Sequence, residues 1–278
     1  MTNLLVRGLI VLSVAIWCCV TSTPLQPSRT AAAEAQIENQ QPYKRTGAEG
    51  TVTGQIRFEG EAPARRKLDM SQDAGCAAVA RNPRTEDVVV TDGRLANVFV
   101  YVKGGSLEKS TFETPQTAVS LDQRQCRFVP RVLGIQTRQT LIFFNSDPTT
   151  HNVHPAPSVN REWNQMQARD GMPFEKSFSR VETLIPVKCN QHPWMKAYVG
   201  VLAHPFFAVS RRNGSFKIEG LPQGEYTLVA WHEVLGEQTV KLSIGPMETK
   251  SIELVFTNRR VGRSSGSLRM ESPLVVEQ

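Results

Sequence analysis

Helical periodicity is what this 278-residue chain most conspicuously lacks. No segment of any length repeats apolar residues at helical spacing, which excludes a helical core. The signatures of common catalysis are missing too. There is no nucleophile elbow, no glycine-rich phosphate loop and no set of catalytic carboxylates. No Cys-x-x-Cys occurs, so a thiol-redox motif of that kind is excluded. Basic residues outnumber acidic ones, 32 against 26, but they are scattered apart from "PARRK", "SRR" and "NRR". No aromatic residues interleave with them, which leaves nucleic-acid binding without support, while mild basicity suits acidic partners or surfaces. Cysteine and histidine are scarce, five of each, so a place where they gather carries information.

A hydrophobic content of 40% and a charged content of 21% describe an ordinary globular chain. Its first residues stand apart. "MTNLLVR" carries one positive charge, and "GLIVLSVAIWCCV" is too short to span a bilayer comfortably. Small and polar residues follow, so residues 1–22 read as a secretory signal cleaved after Ser22, with an uncleaved anchor as the alternative. The mature chain is then periplasmic or extracellular and has no membrane span. In an oxidising compartment Cys76 and Cys126 can pair as a disulfide or remain free buried thiols. Residues 23–49 lack apolar periodicity and read as a disordered linker, and residues 258–278 as a disordered tail.

Between them, strand follows strand. "TVTGQIRFEG", "ANVFVYVKG", "LIFFN", "TLIPVKC", "AYVGVLA", "GEYTLVAWH" and "KSIELVF" carry β-branched and aromatic runs bounded by turn residues. The chain is read as all-β, with room for one short helix near "SQDAGCAAVA". The stretch "AVSRRNGSFKIEGLPQGEYTLVAW" resembles the transthyretin-like, or carboxypeptidase regulatory-like, family: an Asn213-Gly214 turn, Phe216, Leu221-Pro222, Gly224, Tyr226 and Leu228 occupy matching places. Residues 50–54 and 96–102 resemble that family's opening strands. The resemblance implies a transthyretin-like β-sandwich made of residues 50–104 and 205–257. Residues 105–204 then form a second module, inserted in it or adjacent to it.

That module holds "HNVHP" at His151 and "CNQHPWM" at Cys189. Cys-x-x-His lets a thiolate and an imidazole reach one ion from a tight loop. A thioether three residues on approaches from the side, and a second imidazole completes a trigonal His2Cys site with a weak axial Met, the donor set associated with blue copper. Zinc more often takes a second cysteine or a carboxylate. "LIFFNSDPTTHNVHP" and "CNQHPWM" together resemble the cupredoxin family, amicyanin and plastocyanin types, and imply a Greek-key β-sandwich. By that resemblance His151, Cys189, His192 and Met195 hold one type 1 copper ion, and His154 is not a ligand.

Around these ligands, Asn152 can bond across to the cysteine loop. Pro193, lacking an N–H, cannot donate to the thiolate. Phe143, Phe144 and Trp194 can exclude water, and His204 and His232 read as structural histidines at strand ends. The His192 ring is expected to reach the surface, with Trp194 beside it as a docking residue. The chain therefore reads as an exported electron carrier rather than an enzyme, exchanging single electrons with redox protein partners. The alternatives are a non-redox copper carrier, or an envelope module in which the transthyretin-like part binds carbohydrate or protein.

Overall fold

Residues 50–59 show how the architecture begins. Along Gly50–Glu59 burial alternates strictly, with Val52, Ile56 and Phe58 turned inward and Thr51, Thr53, Gln55 and Arg57 outward, the period-2 pattern of a strand with one face on a core. Gly54 lies on the inward face because a Cβ there would sit 2.4 Å from the Phe216 ring. In the computed structural model, which describes residues 40–258, this strand pairs antiparallel with Ser215–Leu221 and parallel with Thr249–Thr257. Short strands Arg94–Leu95 and Val90–Thr91 extend the sheet. Facing it, a second sheet orders Phe207–Val209, Phe99–Lys103, Gly224–His232 and Gly236–Ile244. Val100, Val102, Leu228, Leu242 and Phe256 fill the space between the two sheets. Residues 1–22, 23–39 and 259–278, which contain the signal, most of the linker and most of the tail expected from sequence, lie outside the described residues. Among the described residues no helix is long and apolar enough to cross a membrane.

A second sandwich is built from residues 119–202. One sheet orders Phe174–Lys176, Leu141–Asn145, Val119–Gln123 and Phe128–Val129. The other orders Gln165–Gln167, His151–Pro155, Glu182–Lys188, Lys196–Leu202 and Val132–Gln136. Leu121, Leu141, Phe143, Val153, Ile185, Val199 and Val201 form its core. The described part of the chain is thus all-β apart from helix Ala74–Val79 and a 3-10 turn at Gly105–Lys109.

The boundary read from sequence needs one correction. Residues 60–89 fall within the 50–104 segment, yet Met70 and Cys76 lie in the core of the second sandwich, with Leu68 and Val79 packed against it. Cys76 is disulfide-bonded to Cys126 of that sandwich. The excursion has no alternating pattern to place it in a sheet. It is held by scattered apolar anchors, by the disulfide, and by an Asp73 N-cap whose side chain accepts from the Cys76 N–H at 2.8 Å.

Strand Phe99–Lys103 explains why "FVYV" is a continuous apolar run. Val100 and Val102 face the first core, while Phe99 and Tyr101 face the second sandwich and meet Val132, Leu184 and Leu202. A strand buried on both faces has no polar side to display. Gly134 and Gly200 make room for it: a Cβ on Gly200 would lie 2.4 Å from the tip of the Phe99 ring. At the edge of this contact the Arg131 guanidinium donates to Glu233 at 2.8 Å and to Asp87 at 3.0 Å, and Tyr198 donates to the same Glu233 carboxylate at 3.0 Å. Gly200→Ala is therefore expected to destabilise the protein by about 1–3 kcal/mol through overpacking. A denaturant midpoint unchanged from the native protein would show that Phe99 can move aside.

Candidate metal centre

The site forms where two rigid segments meet. The first is the loop "SDPTT" between strands Leu141–Asn145 and His151–Pro155. The Asn145 amide donates to the carbonyls of Thr149, Gln167 and Ala168 at 2.9, 3.1 and 3.0 Å. Asn145 also accepts from the Asp147 N–H. With its loop so fastened, His151 begins its strand wholly buried. The second segment is residues 189–195, closed on itself by Cys189 N–H to Met195 O at 3.3 Å and Met195 N–H to His192 O at 2.9 Å. Asn152 ties the two together. Its Oδ1 accepts from the Asn190 N–H at 2.8 Å and from the Cys189 Sγ at 3.4 Å, and its Nδ2 donates to Asn164 at 2.7 Å.

Three donors converge. His151 Nδ1 and His192 Nδ1 are 2.9 Å apart, and Cys189 Sγ is 3.6 Å from His192 Nδ1. All three residues are buried. Met195 is also wholly buried, held through its backbone to both Cys189 and His192. Pro193 is exposed at the loop's tip. His154 stands outside the cluster, between Asn190 and Glu162. His204 and His232 lie elsewhere. The Nδ1 of each accepts backbone N–H groups, and burial holds both rings down at about 4.

Sequence reasoning missed what stands behind the imidazoles. Asp147, buried, bonds His151 Nε2 at 3.0 Å and accepts from the N–H groups of Gln125 and Cys126 at 2.6 and 2.8 Å. Asp73 reaches His192 Nε2 at 3.2 Å and is itself held by Thr149. Carboxylates on both Nε2 atoms favour protons there, so that once His151 gives up its second proton both Nδ1 lone pairs are free, the tautomer a metal needs. The signals available in the sequence were an aspartate four residues before His151 and an N-cap aspartate before "AGC". Both read equally well as ordinary turn and cap chemistry.

Two other expectations are corrected. His192 does not reach the surface: it is 3% exposed, with Asp73 and Cys76 Sγ, the latter at 3.7 Å, over its Nε2. The cause is the excursion of residues 60–89, which roofs the ring. Phe144 does not shield the site either. It points outward on the alternate face of its strand, whereas Phe143 is buried and stacks on Phe174. Trp194 is half-buried, with its ring centroid 5.2 Å from that of His192 and its Nε1 donating to Cys126 O at 3.1 Å.

The electrostatics favour a cation. Burial pushes the His151 imidazole down, but the Asp147 carboxylate and Cys189 outweigh it and raise His151 from 6.5 to about 9. Burial pushes the Cys189 thiol up, yet hydrogen bonds from His151 and nearby backbone groups bring it below its ordinary value. His192 is lowered by burial and by the adjacent His151 charge. The metal-free centre thus holds its proton on His151 beside an acidified thiol. Because the folded value is raised, this proton's stabilisation of the metal-free fold is fully present below about 6.5 and lost as pH rises through about 9. A metal must displace it, so apparent affinity for copper should climb with pH, by up to about tenfold per unit for this one proton, and level off above about 9. Chelator competition measured across that range checks this, and a pH-independent affinity would mean that His151 is neutral in the metal-free protein.

No protein-family model matches this chain, and no curated protein matches it. Solved structures do align with part of it. One is a copper-containing nitrite reductase (NirK) from Thermus scotoductus SA-01, at 21% identity over 31% of this chain and 22% of that chain, with a TM-score of 0.28. A Cu(I) amicyanin mutant aligns at 21% identity over 32% of this chain and 86% of that chain, with a TM-score of 0.28. A purple cupredoxin from Nitrosopumilus maritimus aligns at 21% identity over 30% of this chain and 98% of that chain, with a TM-score of 0.26. The chain spans about a fifth of the nitrite reductase it matches. Each likeness reaches about a third of this chain.

Proposed function

We propose that this chain is an exported type 1 copper protein that carries single electrons between redox partners in the cell envelope and catalyses no reaction of its own. The observation that carries the reading is the convergence of the Cys189 thiol and the Nδ1 atoms of His151 and His192 in a buried pocket, with Met195 at the end of the same loop. The donor set suits copper. One soft thiolate, two imidazoles and a thioether are the ligands that copper's two oxidation states accept together. The nearby carboxylates, which zinc would use, are engaged at the far nitrogens of the two rings. Bound copper would supply a one-electron couple between Cu(II) and Cu(I).

The chain's own residues do the rest. Asp147 and Asp73 orient the imidazoles, Asn152 holds the cysteine loop against the first strand, and the disulfide-linked excursion keeps water off His192. A pocket fixed on both sides resists the geometry change between the two oxidation states. Four protein donors leave no open position for a substrate, which disfavours oxidase chemistry. The Cys76–Cys126 disulfide suits an oxidising compartment. The transthyretin-like sandwich is read as the scaffold whose Phe99 face holds the metal module.

Loading the protein with copper(II), reducing it and reoxidising it over repeated cycles tests this. An electron carrier keeps one copper per chain throughout. Release of the ion on reduction would make the chain a carrier of the metal instead.

A further inference from the structure

Trp194 opens onto a recess that none of the four metal-binding residues lines. Its volume is about 290 Å3, and Arg66, Arg127, Arg131 and Lys196 share its walls with Glu86 and Asp87. Both carboxylates are already engaged. Arg127 bonds Glu86 at 2.7 Å, and Arg131 bonds Asp87 at 3.0 Å. Arg66 and Lys196 are exposed and have no carboxylate partner among the described residues. More positive charge is interlaced at the rim: the Arg127 guanidinium donates to Arg84 O at 2.6 Å, and Arg84 donates to Arg65 O at 3.0 Å. The "PARRK" run, without a role in the sequence, folds to this place.

Charge and route coincide here. The outward edge of His192 is closed by Asp73 and the disulfide, so the way out of the centre passes through the neighbouring Trp194 ring, 5.2 Å away and half-buried in the recess wall. We infer that this recess is the docking surface for a one-electron redox protein presenting a carboxylate-rich face, with Trp194 as the port; the inference rests on the electron-transfer reading above. One electron crosses per encounter. The partner's centre is oxidised as Cu(II) becomes Cu(I), or reduced in the reverse direction, and no bond or proton moves. Unpaired cations around a small contact steer an acidic partner in and release it readily as salt rises.

The test uses the full chain and two probes. In the first arm, redox-inert hexacyanochromate(III), a paramagnetic trianion, is titrated into metal-free and copper-loaded protein. The amide resonances of Leu68, Thr85, Arg127 and Lys196 should broaden first. In the second arm, the copper-loaded protein exchanges electrons with hexacyanoferrate or with hexaammineruthenium. Arg66→Glu combined with Lys196→Glu should slow exchange with the anion about tenfold at low ionic strength, have little effect at high salt, and not slow exchange with the cation. Broadening centred away from the recess in the metal-free protein overturns the docking surface alone. A broadened recess in a loaded protein that does not cycle overturns the electron-transfer reading, and the port with it. If charge reversal leaves both exchange rates unchanged but abolishes binding to anionic phospholipid vesicles, the surface belongs to a membrane and the inference is overturned.

Discussion

Cys189→Ser removes the colour of the copper-loaded protein while leaving both sandwiches folded. The colour expected of the native protein is charge transfer from the thiolate to Cu(II), and Cys189 is the only free cysteine among the described residues. The substitution is nearly isosteric at a position 2% exposed, and the hydroxyl keeps a partner in Asn152 Oδ1, which accepts from the thiol in the native chain. The fold should therefore survive, and circular dichroism would record it. Losing one of the two strongest kinds of donor weakens copper binding by more than about 100-fold, the upper end of the effect of losing an outer partner alone. A Ser variant that stayed coloured would place the chromophore elsewhere.

Asp147→Asn should produce the next largest change, through residues the ion never touches. The carboxylate accepts from three N–H groups: the backbone donors of Gln125 and Cys126, and His151 Nε2. An amide of the same size has one acceptor oxygen. At least one of these donors then loses its partner, which destabilises the fold by about 1–3 kcal/mol where that donor is buried. The His151 imidazole loses its negative partner, so its pKa falls from about 9 toward or below its ordinary 6.5, an outcome that nuclear magnetic resonance of the metal-free protein would follow. Copper affinity drops by about 10–100-fold. A less basic imidazole supports Cu(II) less well than Cu(I), so the reduction potential rises by about 59 mV for each tenfold change in the ratio of the two affinities. If Asp147 served only as loop packing, stability would change while the potential and the His151 titration stayed where they were.

The residues that carry these effects differ in how plainly the sequence announces them. The convergence of His151, Cys189 and His192 is legible because two segments have ligand spacing, and each segment is bounded by a strand with a clear apolar pattern. Strand Gly50–Glu59 is legible for the same reason: its alternation states which face is buried. Asp73, Asp147 and the burial of His192 are not. The excursion of residues 60–89 has no period, and its contact with His192 joins residues 119 positions apart. Only the three-dimensional path of the chain decides that "SQDAGC" covers one imidazole, and that "PARRK" lies beside Trp194 rather than against another basic run. The double burial of "FVYV" lies between these cases. Its continuous apolar run is visible, but which neighbour covers the second face depends on Gly134 and Gly200 in the other sandwich.

The most direct measurement is a copper(II) titration of the native protein, followed at once by visible absorption and electron paramagnetic resonance. One equivalent should saturate an intense thiolate band together with the narrow copper hyperfine splitting of a covalent Cu–S bond, and both should vanish on reduction and return on reoxidation. A protein that binds copper(II) without colour, or whose resonance shows the wide splitting of an ion held by nitrogen and oxygen alone, would contradict a copper centre built on Cys189, His151 and His192.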